Sequence, residues 1–153
     1  MFTAIDSVPL TAIAFFMLTG ELMTSATITD RLVALSRALI GRIRGGLAQV
    51  NVLVSMFFAG MNGSVVADTA TVGALVLPAM KKAGYPAAFS AAVTGVSSTI
   101  GGIIPPSIMM IVLANATEIS IASLFAAGII PGILIGVVIM VINHYFAVKH
   151  NFE

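Results

Sequence analysis

Residues 95–109 read GVSSTIGGIIPPSIM, with apolar sequence on both sides. Two serines, a threonine, two adjacent glycines and two adjacent prolines interrupt a segment that otherwise reads as a membrane helix from Ala87 to Ala116. Pro105 and Pro106 cannot continue a regular helix without lost hydrogen bonds and a clash with the preceding turn. Proline also pushes Ile104 towards extended backbone, while Gly101 and Gly102 open conformations closed to other residues. The stretch predicts a discontinuous transmembrane helix over 87–116, with one half ending near Ser98 and the other starting near Ser107. Irregular backbone at membrane depth is tolerated only where protein or a watery cavity surrounds it. Something polar is therefore expected at this break.

The rest of the chain supports a membrane setting. Of its 153 residues, 59% are hydrophobic and only 8% charged, against about 25% charged in a soluble domain. The mean hydropathy is +1.10. A formal net charge of +1 implies no nucleic-acid partner. The sequence has no cysteine, which excludes disulfides and thiolate metal sites. His144 and His150 have no spaced acidic or histidine companion, so they do not read as metal ligands. No cofactor is expected. Met1–Pro9 lacks a basic start and contains Asp6, so it does not read as a cleavable signal peptide.

Outward from the break, residues 1–27 read as a transmembrane helix with Glu21 near its end, snorkelling or capping. Residues 28–46 read as an amphipathic surface helix followed by a basic loop. Ile28, Leu32, Leu35 and Leu39 form its apolar stripe, Thr29 or Asp30 its cap, and Arg31, Arg37, Arg42 and Arg44 its cationic side. Residues 47–82 form two apolar halves around Gly60–Ser64, each about 20–24 Å long as a helix, against a hydrocarbon core of about 30 Å. Arg42 and Arg44 precede them, and Lys81 and Lys82 follow. The positive-inside rule puts both clusters in the cytoplasm. The segment then reads as a re-entrant hairpin with Asn62, Gly63 and Ser64 at its tip, or as a pair of short tilted spans. Residues 119–148 read as a further transmembrane helix ending at Lys149. The N-terminus and Glu118 are expected outside. The protein is multi-pass and its surroundings are a lipid bilayer.

Both interruptions carry small polar residues at membrane depth. Asn62, Gly63, Ser64 and Asp68 belong to the first, and Ser97, Ser98, Thr99 and Gly101 to the second. Gly102, Pro105 and Pro106 break the helix. Freed carbonyls and hydroxyls of broken helices are the usual ligands for Na⁺ in transporters. Ser98, Thr99 and the Gly101 backbone, facing Asn62, Gly63 and Ser64, form the candidate Na⁺ site. The alternative is that Ser97, Ser98 and Thr99 only bond back to their own helix carbonyls. Asp68 reads either as a structural residue near the start of the returning helix, satisfying its amides, or as an ion ligand or electrostatic attractor. Met56, Met61, Met80, Met109 and Met110 read as packing residues.

Two stretches, FFAGMNGSVVADTATVG (57–73) and SSTIGGIIPPS (97–107), resemble the large membrane subunit of tripartite ATP-independent periplasmic (TRAP) transporters. LVALSRALIGRIRGGLAQVNV (32–52), LPAMKKAGYPAAFSAAV (77–93) and SLFAAGIIPG (123–132) extend the resemblance over nearly the whole chain. The chain departs from the family's pattern at Gly102 and Met109, where prolines are usual, and at Asn62, where serine is frequent. The resemblance implies an all-α integral membrane fold: one half of an elevator-type transporter, with a re-entrant helical hairpin and a discontinuous transmembrane helix. Residues 28–46 would then be arm-like. It implies a secondary transporter using Na⁺ as coupling ion to import an organic acid anion such as a C4-dicarboxylate or sialic acid. The implied partners are a small membrane subunit and a periplasmic substrate-binding protein, and the implied location is the bacterial inner membrane. Only one hairpin and one broken helix are present, so the chain reads as a fragment holding roughly the first inverted repeat. The alternatives are a non-transporting membrane scaffold, an intramembrane enzyme using Ser64 or Ser98, and a channel. The scaffold explains the paired polar breaks poorly, no histidine or lysine lies near either serine, and no repeated filter ring is present.

Overall fold

The computed structural model describes residues 8–25 and 28–152. Residues 1–7 and 26–27 of the expected first span lie outside the described residues. Among the described residues seven α-helices follow in order: α1 (Val8–Ser25), α2 (Ile28–Ile40), α3 (Gly46–Asn62), α4 (Val65–Lys82), α5 (Ala87–Ser98), α6 (Ile108–Thr117) and α7 (Ile121–Lys149). A 3₁₀ turn, Thr99–Gly102, follows α5 directly. The break read from the glycines and prolines thus lies where expected, and Ser107 caps the second half by accepting from the Met110 amide at 3.3 Å.

α3 is the central element, packed against α1, α2, α4, α5, α7 and the 3₁₀ turn. Its inward side holds Ala48, Val50, Val52, Val54, Phe58 and Ala59, all essentially inaccessible. α3 and α4 form a helical hairpin whose connection is only Gly63 and Ser64, tighter than the five-residue interruption suggested by sequence. A helix can run to Asn62 because Gly63, at φ +60°, ends it in the left-handed conformation and returns its amide to the Ala59 carbonyl at 3.2 Å. Such a terminus costs glycine nothing sterically. Ser64 then starts α4, its hydroxyl accepting from the Ala67 amide at 3.3 Å.

α7 is the longest helix among the described residues. It is the one helix among the described residues long and apolar enough to cross a membrane; Ile13–Leu22, Gly46–Asn62 and Ile108–Thr117 are shorter apolar stretches. Its buried residues, Gly128, Gly132, Gly136, Ile139, Asn143 and Ala147, recur at helical spacing, while Ile130, Leu134 and Val141 point outward and are exposed. A Cβ built on Gly45 would lie 2.5 Å from the Ala147 Cβ, one on Gly136 would lie 2.5 Å from the Met56 sulfur, and one on Gly128 would lie 2.5 Å from the Ile103 carbonyl oxygen. α3 therefore starts beside the C-terminal end of α7 and rises antiparallel to it, and the break lies roughly 28 Å along α7 from Ala147. Both hairpin ends return to that same end: Arg42, Arg44, Gly46 and Tyr85 line one pocket, and the Tyr85 ring lies 5.2 Å from that of Phe152.

α2 departs from expectation at its cap. The helix already includes Thr29 and Asp30 in its first turn, so neither is its cap. The residues buried against the body are Thr29 and Ser36, with Val33 and Ile40 partly buried. Leu35 is 48% and Leu39 61% exposed. Small side chains let α2 approach α3 closely, as between helices in lipid; of the apolar stripe, Ile28 and Leu32 are partly buried while Leu35 and Leu39 face away from this chain.

Candidate ion site at the hairpin tip

The tip of the hairpin docks into the break of the second helix. The Ile108 amide donates to the Gly63 carbonyl at 3.2 Å. A Cβ on Gly63 would collide with the Pro106 carbonyl oxygen and lie 3.0 Å from Ser107 Cα. On the other side of the break, a Cβ on Gly101 would lie 3.6 Å from the Ser64 carbonyl carbon and the Val65 nitrogen. Two backbones thus approach each other at two points, and glycine permits the closer of them. Asn62 is 4% exposed and folds over its own turn, its Oδ1 accepting from the Ser64 amide at 3.1 Å. Ser107 donates to the Gly102 carbonyl at 2.8 Å, closing the break on itself. Beside the tip, Gly20, Glu21, Asn62, Ser64, Ala67 and Thr71 help line a cavity of about 140 Å³.

The structure therefore brings Asn62, Gly63, Ser64, Gly101, Gly102, Pro105 and Pro106 into one neighbourhood. It does not bring the Thr99 hydroxyl there. Thr99 is exposed and donates to the Val96 carbonyl at 2.7 Å. One residue is about 100° of helical rotation, so Ser98 and Thr99 point in different directions, and the inward one is Ser98. Ser97 and Ser98 are completely buried, and both donate to the Thr94 carbonyl, at 3.1 and 2.8 Å. This is the back-bonded arrangement, but a donating hydroxyl keeps oxygen lone pairs for a cation.

Asp68 departs from the capping role. Ser64 takes the cap, and Asp68, in the first turn of α4, is fully buried with no hydrogen-bond partner for either carboxylate oxygen. The Ser55 and Ser98 side chains face it, yet Ser98 spends its proton on Thr94 and Ser55 pairs with Ser97 at 3.2 Å. What remains of a structural role is the favourable placement of an acid near a helix N-terminus. The acid sits one helical turn beneath the tip.

Around it runs a buried polar seam that sequence reasoning passed over. The Asn51 amide donates to the Thr94 hydroxyl at 2.7 Å, and Ser97 lies 3.4 Å from Asn51 Oδ1. Thr94 donates to the Ser90 carbonyl at 3.0 Å. The available signal was the pairing of two helical patterns, Asn51 and Ser55 four apart on α3, and Ser90, Thr94 and Ser98 four apart on α5. Hard oxygen donors, a buried acid and broken backbone suit a small alkali cation rather than a soft transition metal. Among the described residues no group of histidines and acids could hold a metal ion by itself.

A family model for the DctM component of tripartite ATP-independent periplasmic transporters matches residues 1–153. The chain is 43% identical over 147 residues to the C4-dicarboxylate TRAP transporter large permease protein DctM of Pseudomonas aeruginosa, covering 96% of this chain and 34% of that protein. It is 38% identical over 152 residues to the sialic acid TRAP transporter large permease protein SiaM of Vibrio cholerae, covering 99% of this chain and 36% of that one. Against the sialic acid TRAP transporter permease protein SiaT of Haemophilus influenzae, identity is 41% over 149 residues, 97% of this chain and 24% of the other. The chain thus spans about a third or less of the length of these relatives. The family and the relatives are transporter permeases, not enzymes.

Proposed function

The chain belongs to the DctM family of tripartite ATP-independent periplasmic transporters, a family of membrane permeases, and from that premise we propose that it supplies one half of the coupling centre of a sodium-driven importer of organic acid anions. The observation that carries the reading is the docking of the Asn62–Ser64 tip into the Ser98–Pro106 break. It gathers carbonyls and hydroxyls roughly 28 Å along α7 from its basic end. A dehydrated Na⁺ held there by oxygen atoms would be stabilised by the Asp68 carboxylate nearby. Asn62, Gly63, Ser64, Ser98 and Gly101 are the ligand positions; the Thr99 hydroxyl is not among them.

In this reading α3 and α4 form a re-entrant hairpin. Both ends are basic and lie at the C-terminal end of α7, which supports placing them together in the cytoplasm. Sodium binding at the tip would fix hairpin and broken helix as one body, which an elevator-type movement carries across the inner membrane. The remaining part of the site, a second inverted repeat, would come from the rest of a longer permease. A small membrane subunit and a periplasmic substrate-binding protein would complete the assembly. The substrate class is a C4-dicarboxylate or sialic acid, by the names of the relatives above. The test is organic acid uptake by proteoliposomes containing the full-length permease and its partners under an imposed Na⁺ gradient. Uptake should follow that gradient and stop when K⁺ replaces Na⁺. Uptake indifferent to the gradient would reject the reading.

A further inference from the structure

The basic end of the molecule contains a second recessed feature, well away from the hairpin tip. Gly41, Arg42, Arg44, Gly46, Leu47 and Tyr85 line a pocket of about 350 Å³, with Ile43 at its wall and no acidic residue in the lining. Neither arginine forms an ion pair or hydrogen bond among the described residues. α3 begins in this pocket. Its N-cap is Gly45, in the left-handed conformation at φ +76° and without a side-chain acceptor for the first amides of the helix. Two uncompensated guanidinium groups beside an uncapped end of a 17-residue helix form a focus of positive potential.

We propose that this pocket binds the phosphate of an anionic phospholipid in the cytoplasmic leaflet; the leaflet rests on the topology proposed above, while the pocket's chemistry does not. A phosphate would accept bidentate bonds from the arginines and cap the α3 amides. The same chemistry would suit a free phosphate, but the surroundings favour lipid. Leu39 and Ile43 are 61% and 47% exposed next to the arginines, giving acyl chains an apolar surface.

The experiment is native mass spectrometry of the purified full-length permease, titrated with dioleoylphosphatidylglycerol, dioleoylphosphatidylcholine or sodium phosphate. Arg42 and Arg44 are exposed, so Arg42→Gln/Arg44→Gln should fold normally. The parent should hold one more tightly bound phosphatidylglycerol than the double variant, whose affinity at that site should fall about thirtyfold, the usual scale for two basic residues at an anionic surface. Phosphatidylcholine should not distinguish the two proteins. Equal phosphatidylglycerol retention by parent and variant overturns the proposal. Displacement of the lipid by millimolar phosphate also overturns it, because the pocket would then serve a free anion. Since this measurement needs neither a sodium gradient nor a sided membrane, its failure is distinguishable from failure of the transport reading.

Discussion

A single methyl group placed at Gly63 should separate the hairpin tip from the broken helix. In Gly63→Ala the new carbon meets the Pro106 carbonyl oxygen head-on and lies 2.9 Å from the Pro106 carbonyl carbon and 3.0 Å from Ser107 Cα. All three are backbone atoms, so no side chain can rotate to make room. The left-handed φ of +60° adds about 1–2 kcal/mol for any residue with a Cβ, and overpacking adds about 1–3 kcal/mol, about 2–5 kcal/mol in all. Relief requires the tip to withdraw, which breaks the bond from the Ile108 amide to the Gly63 carbonyl. Two other glycines calibrate the effect. Gly84 has φ +85° and nothing within 4 Å of its would-be Cβ, so Gly84→Ala carries only the backbone cost. Gly95 sits inside α5 with open space around it, and alanine there should be neutral or stabilising by up to about 1 kcal/mol. Thermal unfolding of the full-length permease in detergent should rank Gly95→Ala as most stable, then Gly84→Ala, then Gly63→Ala. Gly63→Ala should also lose Na⁺-dependent stabilisation. If it unfolds no earlier than Gly84→Ala and keeps its Na⁺ response, the docking geometry is wrong.

Asp68→Asn keeps the shape of the side chain and removes its charge, so it should weaken apparent Na⁺ affinity in uptake about tenfold or more while the protein still assembles; unchanged affinity would remove Asp68 from the electrostatics of the site. Cysteines replacing Arg44 and Lys81 should label from one side of the membrane and a cysteine at Glu118 from the other, and labelling of the first two from opposite sides would reject the re-entrant hairpin. A spin label at Ser36 should be immobile and one at Leu35 mobile; the reverse would show that α2 packs on α3 through its leucines instead.

Much of the fold was legible because its decisive signals are local. Pro105, Pro106 and the adjacent glycines end a helix wherever they occur, and the structure stops α5 at Ser98 and restarts at Ile108. The α3–α4 helical hairpin was legible from the small polar interruption Gly60–Ser64 between two apolar segments. The face that α2 presents to α3 was not. Leucine periodicity shows where the apolar side of a helix lies, but in a membrane protein that side can face outward while Thr29 and Ser36 pack inward. Of the site, Asn62, Gly63, Ser64, Ser98 and Gly101 were readable as polar or permissive residues at two breaks. Separating Ser98 from Thr99 needed the rotation of α5 about its axis, which adjacent hydroxyls do not reveal. Asn51, Ser55 and Thr94 escaped because single small polar residues are ordinary in membrane helices. Their significance arises only when α3 lies against α5 and buries both sets together.

Direct ²²Na⁺ binding to the purified full-length permease addresses the ion site without the complications of transport. The variants are Asn62→Ala and Ser98→Ala, one from each side of the contact, and their combination. Each single variant should bind Na⁺ more weakly, and the double variant should bind one ion fewer per protomer than the parent, with Thr99→Ala unchanged. Parental stoichiometry and affinity in the double variant would show that hairpin tip and broken helix do not hold an ion between them.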